Sequence, residues 1–219
     1  MDFGYDFSVA YISKTHKKLS ITRKRFKNRS ARTISAVVIN QRKVYAREMR
    51  LYPNSRLIFL AETGYNLHSG THYGYSFINT DAHLIVPANR GRNISLIAIL
   101  SIDRISHFKL VDGAYNGSKL LEFLIESWES MNIKSNDILI MDNVRFHHSS
   151  EVQEWCLTKN SITKYFPPYS PDLNPLENVF SPIKSRYRAM RPIPTNSNMI
   201  KNYVSIVIVD MNKDSGTTF

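Results

Sequence analysis

Cysteine, long apolar runs and acidic residues are all scarce in this 219-residue chain. Cys156 is the single cysteine, which excludes an internal disulfide and a cysteine-built zinc site. No run approaches the roughly 20 apolar residues of a membrane span, and the first residues lack the pattern of a signal peptide. We therefore expect a reducing compartment and no membrane partner. The 18 acids against 29 Lys and Arg give a net charge of +11, which predicts a polyanionic partner.

The basic residues are concentrated near the beginning of the chain. From Lys14 to Arg32 there are nine Lys or Arg and no acid. One interpretation is a solvated basic arm or a nuclear-import patch, and the other is a segment that neutralises nucleic-acid phosphates. The second interpretation is favoured, and its candidate phosphate contacts are Lys17, Lys18, Arg23, Lys24, Arg25, Lys27 and Arg29.

Two carboxylates, Asp142 and Glu177, are separated by 34 residues. Asp142 ends a short apolar run, and Glu177 follows Asn174 and Pro175 at a predicted helix start. Asp142 alone fits a turn residue after a strand, and Glu177 alone fits an acid in the first turn of a helix. As a pair, they fit the residues that hold a divalent metal ion against a phosphodiester.

The sequence motifs around these two acids resemble those of a known family. Residues 142–148 (DNVRFHH) and 167–177 (PPYSPDLNPLE) resemble the second and third acidic motifs of mariner-type DDE transposases, including the interval between them. The resemblance implies an RNase H-like α/β fold, a mixed sheet flanked by helices. It also implies DNA transposition and integration by cleavage and strand transfer, with two Mg²⁺ or Mn²⁺ ions. Asp142 and Glu177 would be metal ligands, while Asn143 and His147 would border the active site and contact DNA.

The first acidic motif of the family departs from the pattern. Residues 56–66 (RLIFLAETGYN) resemble the strand that carries the first acid, but Ala61 stands where the family has aspartate. Glu62 could replace that acid only through a bulge or a one-residue slip, because neighbouring strand residues point to opposite faces. Other candidate first acids, each with little support, are Asp81, Asp103 and Asp112.

Three functional hypotheses follow from this departure. The leading one is a transposase-derived DNA-binding protein whose endonuclease and strand-transfer activity is impaired or lost. The alternative is a non-catalytic DNA-binding protein, either domesticated or a relic, and a third is a divergent nuclease that uses Glu62. The resemblance also implies a homodimer on paired DNA ends and, with the basic charge, a nuclear location.

The chain is expected to have three parts. Residues 1–50 predict a basic helical segment, a partial helix-turn-helix remnant and linker; residues 55–190 predict the RNase H-like domain; residues 191–219 predict a truncated C-terminal segment. Apolar patterns predict strands at 57–60, 73–78, 94–101, 106–111, 138–141 and 162–166. They predict helices at 118–132, from 149 or 150 to 160, and from 175 to 190. Pro182 is expected to bend or split the last of these. Residues 203–210 fit either a helix or a strand.

Overall fold

The computed structural model describes residues 7–21, 31–69, 75–83, 88, 91–102 and 104–215. Contacts divide the chain into two compact units, Met1–Ala31 and Arg32–Phe219. The first unit contains helix α1 (Val9–Lys18), whose N-cap Ser8 accepts a hydrogen bond from the Tyr11 amide. None of the residues of α1 is buried. This helix therefore lacks the packed apolar face that stabilises most short helices.

The second unit is built on a five-stranded mixed sheet of order β3-β2-β1-β4-β5. The strands are β1 (Leu57–Tyr65), β2 (Ile94–Leu100), β3 (Ile105–Asp112), β4 (Ile138–Met141) and β5 (Ile162–Tyr165). The first three strands pair antiparallel, whereas β4 pairs parallel with both β1 and β5. All five coincide with predicted strands, and β1 extends five residues beyond its predicted end.

One strand prediction was wrong over the residues that the structure describes. Residues 75–78 of the predicted strand 73–78 form turns and irregular backbone. Tyr75 and Phe77, which suggested the alternating pattern, are almost fully exposed. An apolar alternation predicts a strand only where a partner surface buries one face, and no described residue buries these two side chains.

Helices cover both faces of the sheet. On one face, α3 (Gly117–Glu129) and α4 (Ser150–Thr158) enclose an apolar cluster around Leu60, Phe123 and Leu139. On the other face, α5 (Pro175–Ala189) and α6 (Ser197–Ser215) enclose a second cluster. Helix α2 (Ala36–Met49) packs Tyr45 and Met49 against a smaller cluster on β4. The predicted strand at 138–141, helix from 149 or 150 and strand at 162–166 form a crossover, in which β5 pairs parallel with β4.

Helix α5 is not split at Pro182, because it continues without interruption to Ala189. Pro182 removes the hydrogen bond to the carbonyl of Asn178, and both residues are exposed, so water can satisfy that carbonyl. The opposite face of the helix carries an apolar stripe at helical spacing, formed by Leu176, Phe180, Ile183 and Tyr187. Burial of this stripe offsets the cost of the exposed proline.

Residues 203–210, which fit either a helix or a strand by sequence, lie within α6. The buried side chains recur every three or four residues, at Ile200, Tyr203, Val204, Val207 and Ile208. They join the cluster of α5 on the sheet, so the segment after 190 is part of the same core. Within the described residues, no helix has the length and apolar character needed to cross a bilayer.

Candidate active site at the ends of β1 and β4

Ala61 and Asp142 fall at matching positions when the register of the parallel strands β1 and β4 is extended beyond their last pair. The pairing of β1 with β4 runs to Phe59 opposite Ile140, and two further residues in the same register bring Ala61 beside Asp142. Neighbouring strands lie about 4.8 Å apart, and side chains alternate between the two faces. Both side chains therefore project from the face that α5 covers. These are the two positions to which the resemblance assigned the first and second acids of the family.

Ala61 is fully buried and belongs to the apolar cluster that also contains Leu176 and Phe180. Its methyl group offers no oxygen to a metal ion. Among the residues that the structure describes, no group of three His, Cys, Asp or Glu gathers as a metal site. A two-ion phosphoryl-transfer centre needs carboxylates that bridge both ions. The residues present do not fit such a centre.

Helix α5 begins beside Asp142. Asn174 is its N-cap: the side-chain oxygen accepts from the Leu176 amide at 3.0 Å, and the residue is 2% exposed. The Asn174 side chain also lies close enough to the Asp142 carboxylate to lower the pKa of that carboxyl. Glu177 follows at the third helical position, as predicted, and is exposed. The sequence indicated Asn174 only as a cap, and its contact with Asp142 was not predicted.

The environment of Asp142 favours its protonated form. Burial raises the pKa of the Asp142 carboxyl above its usual range, and the negative charge of Glu62 raises it further. The His147 ring and the Asn174 side chain act in the opposite direction and lower this pKa. Burial is the largest of the four effects, because a charged carboxylate loses hydration inside the protein.

Glu62 points away from this site. The ladder between β1 and β2 is regular here, with Ala61 opposite Ala98 and Glu62 opposite Ile97, so there is no bulge between 61 and 62. Glu62 therefore projects from the face that α3 and α4 cover. Its carboxylate lies 3.3 Å from Nε2 of His147. The bulge or slip through which Glu62 could replace the missing acid is absent from this strand.

His147 and Asn143, which the sequence placed at the border of the site, have different surroundings. The His147 ring is 2% exposed, and its Nδ1 lies 2.8 Å from the Asp142 carbonyl oxygen. Both ring nitrogens have partners inside the protein, and the predicted contact of His147 with DNA stays a prediction. Asn143 is exposed, and its side-chain oxygen lies 2.7 Å from Nε2 of His148.

An open pocket of about 430 Å³ lies in front of Asp142. Its floor is formed by residues that follow β4 and β5, and its wall by the proline-rich loop before α5. The lining residues are Asp142, Asn143, Val144, Phe166, Pro167, Pro168, Tyr169, Ser170 and Pro171. The loop thus shapes the approach to Asp142.

Two arginines tether this proline-rich loop to the residues that precede β1. Arg42 on α2 makes a two-pronged ion pair with Asp172, in which one of the two hydrogen bonds measures 3.0 Å. Arg32 donates to the Tyr169 hydroxyl at 2.8 Å. A forked Arg–carboxylate pair fixes direction as well as distance. These contacts hold the loop in one position beside the pocket.

Of the other candidate first acids, Asp112 is the one whose place in the sheet separates it from Asp142. Asp81 lies in an irregular stretch, and Asp103 lies outside the described residues. Asp112 ends the edge strand β3, and its carboxylate pairs with Lys201 at 2.6 Å. Since β3 is separated from β4 by two strands, Asp112 cannot share a metal ion with Asp142.

Lys17 and Lys18 are exposed in the last turn of α1. The remaining residues predicted to contact DNA in the basic segment lie outside the described residues: Arg23, Lys24, Arg25, Lys27 and Arg29.

Comparison with known proteins identifies the family and the fold. The model of a family described as DDE superfamily endonuclease matches residues 56–200. No curated protein matches the sequence. Among solved structures, the Mos1 transposase paired-end complex with left transposon end aligns with a TM-score of 0.66 and 15% identity. The alignment covers 94% of this chain and 68% of that one.

Two further structures give the same fold. The Mos1 mariner paired-end complex with Mn has a TM-score of 0.66 and 16% identity, over 92% of this chain and 63% of that chain. The catalytic domain of Mos1 mariner transposase has a TM-score of 0.55 and 14% identity, over 85% of both chains. The mixed sheet flanked by helices is therefore the RNase H-like fold that the sequence predicted.

Proposed function

The chain belongs to the DDE superfamily endonuclease family, and on that premise we propose that it is a transposase-derived DNA-binding protein with impaired or absent strand cleavage. The observation that carries this proposal is the position of Ala61, buried beside Asp142 on the neighbouring strand. The chain thus keeps the fold and two of the three acid positions of its family. At the third position it has a methyl group.

The loss of cleavage follows from the chemistry of the family. Structures of the Mos1 catalytic domain with Mg and of its paired-end complex with Mn indicate divalent metal use by that relative. Two ions about 3.5–4 Å apart require shared carboxylate ligands to overcome their mutual repulsion. Asp142 and Glu177 come from different elements and supply two carboxylates in total. A pair of ions in catalytic register is therefore not expected here, although one weakly held ion is compatible with them.

DNA binding is supported by charge and by the relatives. The net charge of +11 arises largely from a basic segment that contains no acid between Lys14 and Arg32. The Mos1 paired-end complex contains a transposon end. Contacts from Lys and Arg to phosphate do not depend on the bases, so this binding does not need the catalytic acids. The proposal thus separates DNA binding, which is retained, from cleavage.

Nicking of supercoiled plasmid with Mn²⁺ or Mg²⁺ tests the catalytic part. We expect no nicking by the unmodified chain above the level of buffer. Ala61→Asp should restore Mn²⁺-dependent nicking if the remainder of the site is sound, and adding Asp142→Asn to that variant should abolish it. Metal-dependent nicking by the unmodified chain that disappears in Asp142→Asn would refute the proposal, since it would show a working site with another ligand.

Salt-dependent DNA affinity tests the binding part. Replacing Arg23, Lys24 and Arg25 with glutamine should weaken binding and reduce the slope of log K against log salt by about 0.9 for each phosphate that is no longer neutralised. A charge-matched control uses three exposed cations of the larger unit, Arg50, Arg104 and Lys134. If the control weakens binding as much as the test variant, the basic segment does not contact the DNA and that part of the proposal fails.

A homodimer on paired DNA ends and a nuclear location are also proposed, from the family and from the basic charge. Light scattering with and without DNA measures the first, and the distribution of a fluorescent fusion in a eukaryotic cell measures the second. A monomer on DNA, or a fusion excluded from the nucleus, would contradict the respective proposal.

A further inference from the structure

His147 joins three strands of the sheet at the carboxyl end of β4. Its ring nitrogen Nδ1 lies 2.8 Å from the Asp142 carbonyl oxygen, and Nε2 lies 3.3 Å from Glu62 on β1. Its own carbonyl accepts a hydrogen bond of 3.1 Å from the Tyr165 hydroxyl on β5. With 2% of its surface exposed, the ring is held by protein contacts and not by water.

The contact with Asp142 replaces a missing bond of the sheet. The pairing of β4 with β5 ends at Met141, whose carbonyl accepts from the Phe166 amide. Asp142 is the next residue, so its carbonyl lies beyond the ladder. A carbonyl oxygen can only accept, so Nδ1 of His147 carries a proton and donates to it. The imidazole therefore supplies a hydrogen bond that the sheet does not, and this bond holds the backbone one residue beyond β4, at Asp142.

Glu62 fixes the other side of that ring. Its carboxylate is 24% exposed, and it reaches the ring from the face of β1 opposite to Ala61. A buried ring bound at one nitrogen alone could still tilt about that bond, whereas contacts at both nitrogens fix its plane. The orientation of the acid is therefore coupled to a residue on the far side of the sheet.

We propose that Glu62 is a positioning residue, which orients Asp142 through the ring of His147 and does not act as a substitute metal ligand. The proposal rests on the proposed function, in which Asp142 is the remaining strand-borne acid of the site. Under this proposal, Glu62 has the same role whether or not position 61 carries a carboxylate. It also predicts that any rescue of cleavage at position 61 will depend on Glu62.

The test compares Glu62→Gln with Glu62→Ala in the full chain. Glutamine can donate or accept, so it keeps a hydrogen bond to Nε2 in either protonation state of the ring, whereas alanine keeps none. As a metal ligand, glutamine would fail almost as completely as alanine, because a neutral amide is a poor substitute for a shared carboxylate. If Glu62 positions His147, Glu62→Gln should behave like the unmodified chain. If Glu62 is a metal ligand, Glu62→Gln should behave like Glu62→Ala. Glu154→Ala, at an exposed position of α4, is the matched control.

Amide hydrogen exchange of residues 142–148 and the ring-nitrogen signals of His147 are measured without DNA. We expect Glu62→Ala to accelerate exchange about fivefold to tenfold and to shift both ring signals, as the loss of one hydrogen bond predicts. Glu62→Gln should stay within about twofold of the unmodified chain, as should Glu154→Ala. Equal exchange in Glu62→Ala and in the unmodified chain would overturn the proposal.

A second measurement keeps the proposal testable if Glu62→Ala unfolds. Mn²⁺ is titrated into the Ala61→Asp chain with and without Glu62→Gln, and relaxation of the water protons reports the binding. Unchanged Mn²⁺ affinity supports positioning, whereas a loss of tenfold or more would identify Glu62 as a ligand and refute the proposal. Neither measurement requires DNA binding or cleavage, so failure here is distinct from failure of the proposed function.

Discussion

Replacing Ala61 with aspartate should make the stability of the protein depend on metal ions. The new carboxylate would lie about 5 Å from that of Asp142, since the two residues are neighbours on adjacent strands. Two like charges at this separation repel by about 3 kcal/mol at an effective dielectric constant of about 20. For a chain of this size, 1 kcal/mol corresponds to roughly 2–4 °C in Tm. We therefore expect Ala61→Asp to melt roughly 6–12 °C below the unmodified chain in EDTA.

Thermal unfolding followed by circular dichroism, in EDTA and in Mn²⁺, measures this effect. An ion bound between the two carboxylates should recover about 2.7 kcal/mol at one hundred times its Kd. Ala98→Asp is the control, because Ala98 is equally buried and lies opposite Ala61 on the strand farther from Asp142. We expect this control to lower Tm by burying a charge, with no recovery in Mn²⁺.

Two results would refute the reasoning. If Ala61→Asp and the unmodified chain have the same Tm in EDTA, the side chains at positions 61 and 142 do not face each other. If Mn²⁺ recovers Ala61→Asp and Ala98→Asp equally, the ion acts elsewhere on the protein. Ala61→Asn separates charge from size, and we expect its Tm to fall by less than that of Ala61→Asp and to be independent of the metal.

Two further predictions concern Asp142 and Pro182. Because burial raises the pKa of the Asp142 carboxyl, the cost of its charge is absent below the unfolded-state pKa and appears as pH rises through the folded-state pKa. Asp142→Asn should therefore raise Tm at pH 7 and lose this advantage near pH 3; a constant difference across that range would contradict the assignment. Pro182→Ala should raise Tm by restoring the bond to the exposed Asn178 carbonyl, and an interior proline costs up to about 3 kcal/mol. A lower Tm by calorimetry would show that the proline is required by α5.

Motif spacing was more informative about the site than local propensity was about its supports. The sequence placed Asp142 after a strand and Glu177 in the first turn of a helix, and in the structure Asp142 follows β4 and Glu177 lies in the first turn of α5. The contact of Asn174 with Asp142 was not predictable, because an N-cap residue has the same sequence pattern whether or not it bonds to a distant strand. The family resemblance placed His147 at the border of the site, and its burial, with contacts to residues of β1 and β5, was not predicted.

Helices with buried apolar residues at helical spacing were predicted less well when their sequence also contained residues that disfavour a helix. Pro182 was weighted by its intrinsic cost, while the four buried positions of α5 that offset this cost become visible only in the packed structure. By sequence, the β-branched residues of α6 fitted either a helix or a strand, because its buried positions are also visible only in the packed structure. Conversely, Tyr75 and Phe77 resembled a strand, and in the structure their side chains stay exposed.

The burial of Ala61 bears on how such a chain changes over generations. In the absence of metal, an acid beside Asp142 is a burden on folding, so its replacement by alanine stabilises the protein while removing its chemistry. Selection that acts only on folding and DNA binding does not disfavour alanine at position 61. Codons for aspartate and alanine differ at a single base, and the space around position 61 is still closed by small neighbours such as Ala98. Under the proposed function, the reverse substitution, Ala61→Asp, is the single change that would return the missing carboxylate.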